Sequence, residues 1–152
     1  MKWENMTTEA KQKTLSRFHR SLNRRLFAGE LKEVLLYADF VDGTDGGIIS
    51  AFMCGENGHN CIFMTGLYEK WIERFATVKG QTLFCVIVLL HEMIHQYCYE
   101  HGIDGKEHAD HGERFKRIAA AHGLVSCYAD NGDYYNRAAP VLAEATKYYR
   151  FG

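Results

Sequence analysis

Proline, paired cysteines and sequence repeats are scarce or absent in this chain of 152 residues. Pro140 is its single proline, and no repeat or low-complexity linker divides it. We therefore expect one domain with one hydrophobic core over residues 1–152. The five cysteines form no CxxC pair, which argues against a zinc ribbon, and their odd number predicts reduced thiols in a cytoplasmic protein.

Long apolar runs and an excess of one charge are also lacking. The longest apolar run, LFCVIVLL at 83–90, is too short to span a bilayer. The start of the chain contains no apolar segment of the kind that secretory signals carry. We therefore expect neither a membrane protein nor a secreted one. The net charge of −1 is close to zero, so the overall charge gives no indication of binding to nucleic acid.

The apolar residues that are present follow helical and strand patterns in a definite order. Leu15, Phe18, Leu22 and Leu26 recur at helical spacing before Gly29. The further predicted elements are a strand at 33–40, a hairpin at 46–66 turning at Asn57-Gly58, helices at 67–75 and 81–101, a helix from Asp110, and a C-terminal tail of loop and short helix. This order predicts an α+β fold whose small antiparallel sheet packs on helices, including the long one.

Cys54 and Cys61 lie directly across from each other if Asn57-Gly58 forms a two-residue hairpin turn. A disulfide or a second small metal site at this pair is one interpretation. Two reduced cysteines on paired strands is the interpretation that we favour.

Five of the eight histidines lie between residues 89 and 115, and two belong to an HExxH motif, His91-Glu92-Met93-Ile94-His95. On a helix, residues i and i+4 are about 40° apart and about 6 Å along the axis, so both imidazoles can hold one ion. Zinc suits two neutral imidazoles, and Glu92 is close enough to take a proton from a water on that ion. Polar groups on a buried apolar helix need a partner, which favours a metal over coincidental spacing on a surface helix.

A catalytic zinc of this type usually has three protein ligands, so the third must come from outside the motif. His101 would complete the pattern HExxHxxCxxH, but Cys98 stands where a left-handed break in the helix would favour glycine. If the helix instead continues to Gly102, His101 lies about 9 Å beyond His95 along the axis and off the ligand face. Both arguments count against His101.

His111 is the third ligand that the pattern favours. Residues 110–113 resemble a capping box, which places His111 in the first turn of a helix and aims it inward with Phe115 and Ile118. The helix dipole would help to keep its imidazole neutral, as a metal ligand requires. The other candidates are His108, Glu107 and Asp110, which the spacing does not single out.

Two segments, TLFCVIVLLHEMIHQYCYEHG and HADHGERFKRIAAAHGL, resemble the SprT-like metallopeptidase domain, which combines HExxH with a later HGxxF. The second motif here is His111-Gly112-Glu113-Arg114-Phe115. Upstream, LNRRLFAGELKEVLLY and CIFMTGLYE are also similar to that domain, so the resemblance covers roughly residues 12–124. It implies a zincin-like fold and cleavage of a protein or peptide substrate. It also implies zinc bound by His91, His95 and His111, with Glu92 as general base.

Spartan-type members of this family cleave proteins attached to DNA, which makes DNA a possible partner. Arg17, Arg20 and Arg24 line one face of the first predicted helix, with His19 and Arg25 close by. Such a stripe suits phosphates, and a solvated polar face explains it equally well.

Two other functions fit part of the pattern. A zinc-stabilised module that binds protein or DNA without turnover would not need Glu92, and would favour a fourth ligand such as His108 or Cys98. HExxH alone is also compatible with hydrolysis of non-peptide bonds, and histidines suit other divalent ions besides zinc. In a peptidase, Tyr134 or Tyr135 could donate to an oxyanion, although packing is the role that we expect for them.

Overall fold

The computed structural model describes residues 1–40, 47–55, 58–103, 105 and 109–152. The elements in chain order are a 3₁₀ turn at Trp3–Asn5, α1 (Thr8–Leu26), β1 (Leu35–Phe40), β2 (Ser50–Met53), β3 (Cys61–Thr65), α2 (Gly66–Ile72), α3 (Val78–Glu100), α4 (Glu113–Ala121), β4 (Leu124–Tyr128), β5 (Tyr134–Ala138) and α5 (Pro140–Ala145). The predicted α+β class is confirmed.

Helix α1 ends just before the predicted stop at Gly29, and a threonine caps its start. The Thr7 hydroxyl accepts a hydrogen bond from the backbone N–H of Ala10 at 3.1 Å, which caps the first turn. The chain leaves the helix through Gly29, whose φ of +74° suits a residue without a Cβ. Between these ends, Leu15, Phe18 and Leu22 are almost completely buried, so the apolar face of α1 packs into the core.

The main sheet is mixed rather than antiparallel, which corrects the prediction. Its strand order is β1-β3-β2, with β2 antiparallel and β1 parallel to β3. The hairpin of β2 and β3 was expected, and its predicted turn residue Asn57 lies outside the described residues. β3 is the most buried strand and takes the centre, so β1 joins its other side instead of continuing the hairpin. An alternating strand pattern in β1 does not specify which neighbour it pairs with.

Helix α3 is the central element of the core. The Thr77 hydroxyl accepts from the backbone N–H of Gly80 at 3.0 Å, and the helix ends before Gly102, where φ is +66°. By length and composition α3 could cross a membrane, but half of its apolar window is buried inside the protein. Its neighbours are α1, α2, β2, α4 and β5, so it joins the main sheet to the C-terminal part of the chain.

The C-terminal tail is a β-hairpin followed by a helix, not the loop and helix that we predicted. β4 and β5 pair antiparallel, and Ser126 lies opposite Asn136. The turn between them contains Asn131, whose side-chain oxygen accepts from the backbone N–H of Asp133 at 3.0 Å, and Gly132 with a φ of +90°. Asn-Gly turns stabilise hairpins, so the two flanking five-residue segments form strands although each is short. Pro140 then begins α5.

The cysteines are free thiols, as the favoured interpretation predicts, but Cys54 and Cys61 are not opposite each other. All five lie in the described part of the chain, and all are free thiols. Met53 is the residue opposite Cys61, and Cys54 follows it at the exposed end of β2. Cys85 is completely buried, which raises the pKa of its thiol to about 12.

Candidate metal centre

The structure brings His91, His95 and His111 together. The Nε2 atoms of His91 and His95 are 3.2 Å apart, those of His95 and His111 are 3.3 Å apart, and those of His111 and His91 are 3.2 Å apart. Among the described residues, these three form the group of His, Cys, Asp or Glu side chains whose atoms converge closely enough to hold a metal ion. The cluster is partly buried, so it is reachable from solvent and shielded on one side.

Helix α3 supplies two members of the cluster and the neighbouring carboxylate. His91 and His95 are four residues apart and lie on the face of α3 that meets α4 and β5. Glu92 is 4% exposed, and its Oε2 lies 4.0 Å from Nε2 of His91. The hydroxyl of Ser50, on β2, donates to the same Oε2 at 2.6 Å. The carboxylate is therefore held beside the histidines and is not itself one of the converging atoms.

His111 reaches the cluster by a route that differs from our prediction. Helix α4 begins at Glu113 with Gly112 as its N-cap, and no side chain caps it, so the predicted capping box at 110–113 is wrong. His111 precedes the helix and has a φ of +50°, the left-handed region that non-glycine residues rarely adopt. A tight turn, rather than the first turn of a helix, therefore aims its ring at α3.

Phe115 and Tyr134 support the imidazoles. Phe115 is fully buried, and its ring centroid lies 4.6 Å from that of His95 and 4.9 Å from that of His111. The ring of Tyr134 stacks on His111 at 4.4 Å with an interplanar angle of 13°. The hydroxyl of Tyr134 pairs with Ser126 at 2.9 Å, so packing is the role that the structure shows for this tyrosine.

The other histidine candidates lie elsewhere. His101 is the C-cap of α3, where its ring stacks on Tyr97 at 3.9 Å and its Nδ1 bonds the Tyr97 carbonyl at 2.9 Å. His108 and Glu107 lie outside the described residues. Asp110 is exposed and does not belong to the converging group. The geometry therefore places His111, and not His101, in the converging group, although His111 does not lie on the helix face from which it was predicted.

Two polar residues that contact the site were not predicted from the sequence. Ser50 bonds Glu92, and Asn136 bonds His91, with Oδ1 of the amide 2.6 Å from Nδ1 of the imidazole. Asn136 lies on β5, within the segment that we predicted to be a loop. The dipeptide Asn131-Gly132 could have predicted this strand, because Asn-Gly favours a hairpin turn. Such a turn directs β5 back toward the helices.

The nitrogen atoms have the spacing that a tetrahedral metal site requires. Zinc binds histidine nitrogen at about 2.0–2.1 Å, so two nitrogens at tetrahedral angles are separated by about 3.3–3.4 Å. The observed separations of 3.2–3.3 Å are close to that value on all three sides of the triangle. The residues present therefore fit a divalent ion with three imidazole ligands and a fourth position left for another group. Imidazole also suits other transition metals, so the donor set alone does not choose zinc.

The basic stripe of α1 lies along a groove. Arg17, Arg20 and Arg24 are exposed on α1, and the opposite side of the groove is formed by the C-terminal segment that includes Tyr148 and Arg150. The guanidinium of Arg17 donates to the backbone carbonyl of Arg150, which holds the two sides together. Phe18 points into the core, as predicted.

No protein-family model, no curated protein and no solved structure matches this chain.

Proposed function

We propose that the protein is a zinc-dependent endopeptidase of SprT-like type with a zincin-like fold, acting in the cytoplasm. The observation that carries the proposal is the triangle of Nε2 atoms from His91, His95 and His111 with the Glu92 carboxylate beside it. A purely structural metal site would not need that carboxylate, which is buried at the edge of the cluster.

The three imidazoles would hold the ion, and Glu92 would move the proton. When bound, zinc supplies Lewis-acid chemistry that lowers the pKa of a water and polarises a peptide carbonyl. Glu92 accepts the proton of the attacking water as general base and then delivers it to the leaving amine. Ser50 donates a hydrogen bond to Oε2 of Glu92, which restrains the carboxylate, and a carboxylate oxygen with one such bond still has a lone pair that can accept the proton.

Strand β2 offers a binding surface for the substrate. It lies at one edge of the main sheet and packs against α3, and its Ser50 reaches Glu92. An extended peptide beside β2 would gain backbone hydrogen bonds and pass close to the histidines. Backbone pairing depends little on side chains, so we expect cleavage of unfolded protein with loose sequence preference.

Comparison of Glu92→Gln with the parent protein tests the proposal. With zinc added, the parent should cleave an unfolded protein such as reduced casein, and Glu92→Gln should lose at least about 100-fold in rate because general base catalysis is removed. Zinc content should stay at the parent level. The control Glu73→Gln, which changes an exposed carboxylate at the C-cap of α2, should cleave normally.

The outcomes separate the two classes of function. If the parent binds zinc but cleaves no unfolded or DNA-bound protein, the chain is a zinc-stabilised binding module. If Glu92→Gln cleaves as fast as the parent, Glu92 is not the general base.

We further propose that the groove along α1 binds the phosphates of DNA and so directs cleavage to DNA-associated proteins. The feature that favours this proposal is the convergence of Arg17, Arg20 and Arg24 on one side with Arg150 and an exposed tyrosine on the other. Phosphate binding by arginines releases counterions, so affinity should fall steeply with salt.

Fluorescence anisotropy with a labelled DNA duplex tests the groove. The variant Arg20→Glu/Arg24→Glu should weaken binding at least about 10-fold and flatten the salt dependence. Lys70→Glu/Arg74→Glu, which makes the same charge change at and just beyond the end of α2, is the control and should bind as the parent does. Equal affinity of the parent and the double variant for DNA would rule the groove out.

A further inference from the structure

Asn136 has an amide orientation that its neighbours determine. Its Nδ2 lies 3.2 Å from the backbone carbonyl of Val125, and a carbonyl oxygen can only accept a hydrogen bond. The amide nitrogen must therefore point at Val125, and the amide oxygen must point at His91, where the Oδ1 to Nδ1 distance is 2.6 Å. Because that oxygen only accepts, Nδ1 of His91 carries the proton.

This proton position decides what His91 presents to the other two histidines. A neutral imidazole with its proton on Nδ1 has a lone pair on Nε2. That Nε2 is the atom 3.2 Å from both His95 and His111. The hydrogen bond from Nδ1 therefore selects the tautomer that can bind a metal, and it also fixes the rotation of the ring.

The same strand contacts a second member of the cluster. Tyr134, two residues before Asn136 on β5, stacks its ring on His111 and accepts a hydrogen bond from Nδ2 of Asn136 at 3.0 Å. Residues i and i+2 of a strand share one face, so one face of β5 meets both histidines. The hydroxyl of Tyr134 also pairs with Ser126 on β4, which ties the two strands together at this point.

We propose that the C-terminal hairpin, β4 and β5, is the outer support of the metal centre, and that Asn136 is a positioning residue that holds His91 as its Nδ1–H tautomer. The proposal rests on the metal site put forward above and adds a part of the chain outside both sequence motifs. According to the proposal, β5 affects metal affinity although this strand is far from the HExxH motif in the sequence.

The tautomer is measurable in the metal-free protein. Long-range ¹H–¹⁵N correlation spectra at neutral pH distinguish the two nitrogens of a histidine ring. In the parent, His91 should be found with its proton on Nδ1, and in Asn136→Ala the Nε2–H form should appear. A parent protein in which His91 carries its proton on Nε2 would overturn the inference whether or not zinc binds.

Zinc affinity gives the second measurement, by competition with a chromophoric chelator. Removing a hydrogen-bond partner of a ligating histidine typically weakens metal binding about 10–100-fold, and we expect this loss in Asn136→Ala. Asn136→Asp keeps an acceptor for Nδ1–H and should recover most of the affinity. Arg137→Ala, the next residue on β5 and exposed on its other face, should bind zinc as the parent does.

The results distinguish this inference from the proposed function. A parent protein that binds zinc tightly, with unchanged affinity in Asn136→Ala, keeps the metal site and removes the role of Asn136. Equal loss in the Asp and Ala variants would show that Asn136 acts only by stabilising the hairpin. A parent protein that binds no zinc would overturn the proposed function and the role of the hairpin in metal affinity, while the spectra of the metal-free protein still decide the tautomer of His91.

Discussion

Two buried or half-buried histidines of this protein are each oriented by a side-chain amide. His91 meets Asn136, and His19 meets Gln96, whose Oε1 lies 2.9 Å from Nε2 of His19. Gln96 donates from its nitrogen to the carbonyl of Lys32 at 2.8 Å, so its oxygen must face His19. In both cases a backbone carbonyl fixes the amide, and the amide fixes the imidazole. The two pairs differ in what the second ring nitrogen meets, because Nε2 of His91 faces two other imidazoles.

Burial of His19 predicts a measurable sensitivity to acid. The side chain is 5% exposed, and burial lowers the pKa of the imidazole below its usual value of 6.5, although His19 donates a hydrogen bond to Gln96. Below that pH the unfolded chain binds a proton that the folded chain does not, so stability falls as the pH drops from 6.5 through the folded pKa. His19→Gln should be less stable than the parent at about pH 7.5, and should lose less stability on going to about pH 5.5.

Urea unfolding at both pH values, with a chelator present, measures this difference. The chelator removes any contribution from metal release at the other histidines. If the parent and His19→Gln lose the same unfolding free energy between the two pH values, His19 does not titrate as its burial predicts.

The hydrogen bond from Ser50 predicts a loss of activity without a loss of metal. Ser50→Ala frees the carboxylate of Glu92 from a 2.6 Å contact but changes none of the three histidines. We expect the rate of casein cleavage to fall about 10-fold, as for other outer partners of a catalytic site, with zinc content unchanged. Ser16→Ala, a partly buried serine of α1, is the control, and full activity in Ser50→Ala would show that Glu92 needs no such restraint.

At the scale of the elements, the helices were predicted more accurately than the strands. The apolar spacing of α1 and the apolar run of α3 specify a helix by themselves, although Thr77 caps α3 so that it begins at Val78, three residues before the predicted start. A strand needs a partner, and its own residues do not name that partner. The parallel pairing of β1 with β3 was missed for this reason.

The sequence predicted which histidines form the candidate site, but not how the chain brings them together. HExxH on a helix fixes the relative positions of His91 and His95, because both belong to one rigid element. His111 was placed correctly beside them from a capping box that does not form, since a left-handed turn positions it instead. The contacts of Ser50 and Asn136 depend on how β2 and β5 pack against α3, which local sequence does not determine.

The junction between α4 and the hairpin gives a prediction at this scale. Gly123 has a φ of +94°, and a Cβ there would lie 2.9 Å from the Cβ of Leu142, a buried residue of α5. Gly132, in the hairpin turn, has a similar φ of +90°, but an added Cβ would meet nothing within 4 Å. Gly132→Ala should therefore cost about 1–2 kcal/mol of unfolding free energy for the left-handed backbone alone.

Gly123→Ala should cost more, because overpacking against Leu142 adds about 1–3 kcal/mol to the backbone strain. Urea denaturation of the two variants and the parent gives both values. An equal loss in the two variants would mean that α5 moves away from the junction without cost.

At the scale of the whole molecule, residues near the two ends of the chain pack against each other and against α1. Trp3 is fully buried and packs edge-on against Phe151, and the hydroxyl of Tyr149 pairs with that of Ser21 on α1 at 2.6 Å. The backbone N–H of Gly152 donates to the Thr14 hydroxyl at 3.2 Å. The C-terminal segment therefore packs on α1, while the hairpin before it packs on α3 beside the histidines. Ordering of the metal site and of the C-terminal part of the chain should be linked.

This linkage predicts that the metal stabilises the entire fold. The three histidines come from α3 and from the turn before α4, so they meet only in the folded chain, and an ion that binds only there adds about 2.7 kcal/mol at 100 times its Kd. Zinc should therefore raise the Tm of the parent. It should do the same for His101→Ala, whose ring stacks on Tyr97 away from the cluster, and not for His111→Ala.

Thermal unfolding with zinc and with a chelator measures the shift in each protein. Exposed histidines bind zinc weakly in folded and unfolded chains alike, so they produce little stabilisation. The difference between the two histidine variants is therefore specific to the site. A zinc-dependent rise in the Tm of His111→Ala that equals the rise in the parent would place the ion elsewhere. Loss of the rise in His101→Ala would mean that His101, rather than His111, completes the ligand set.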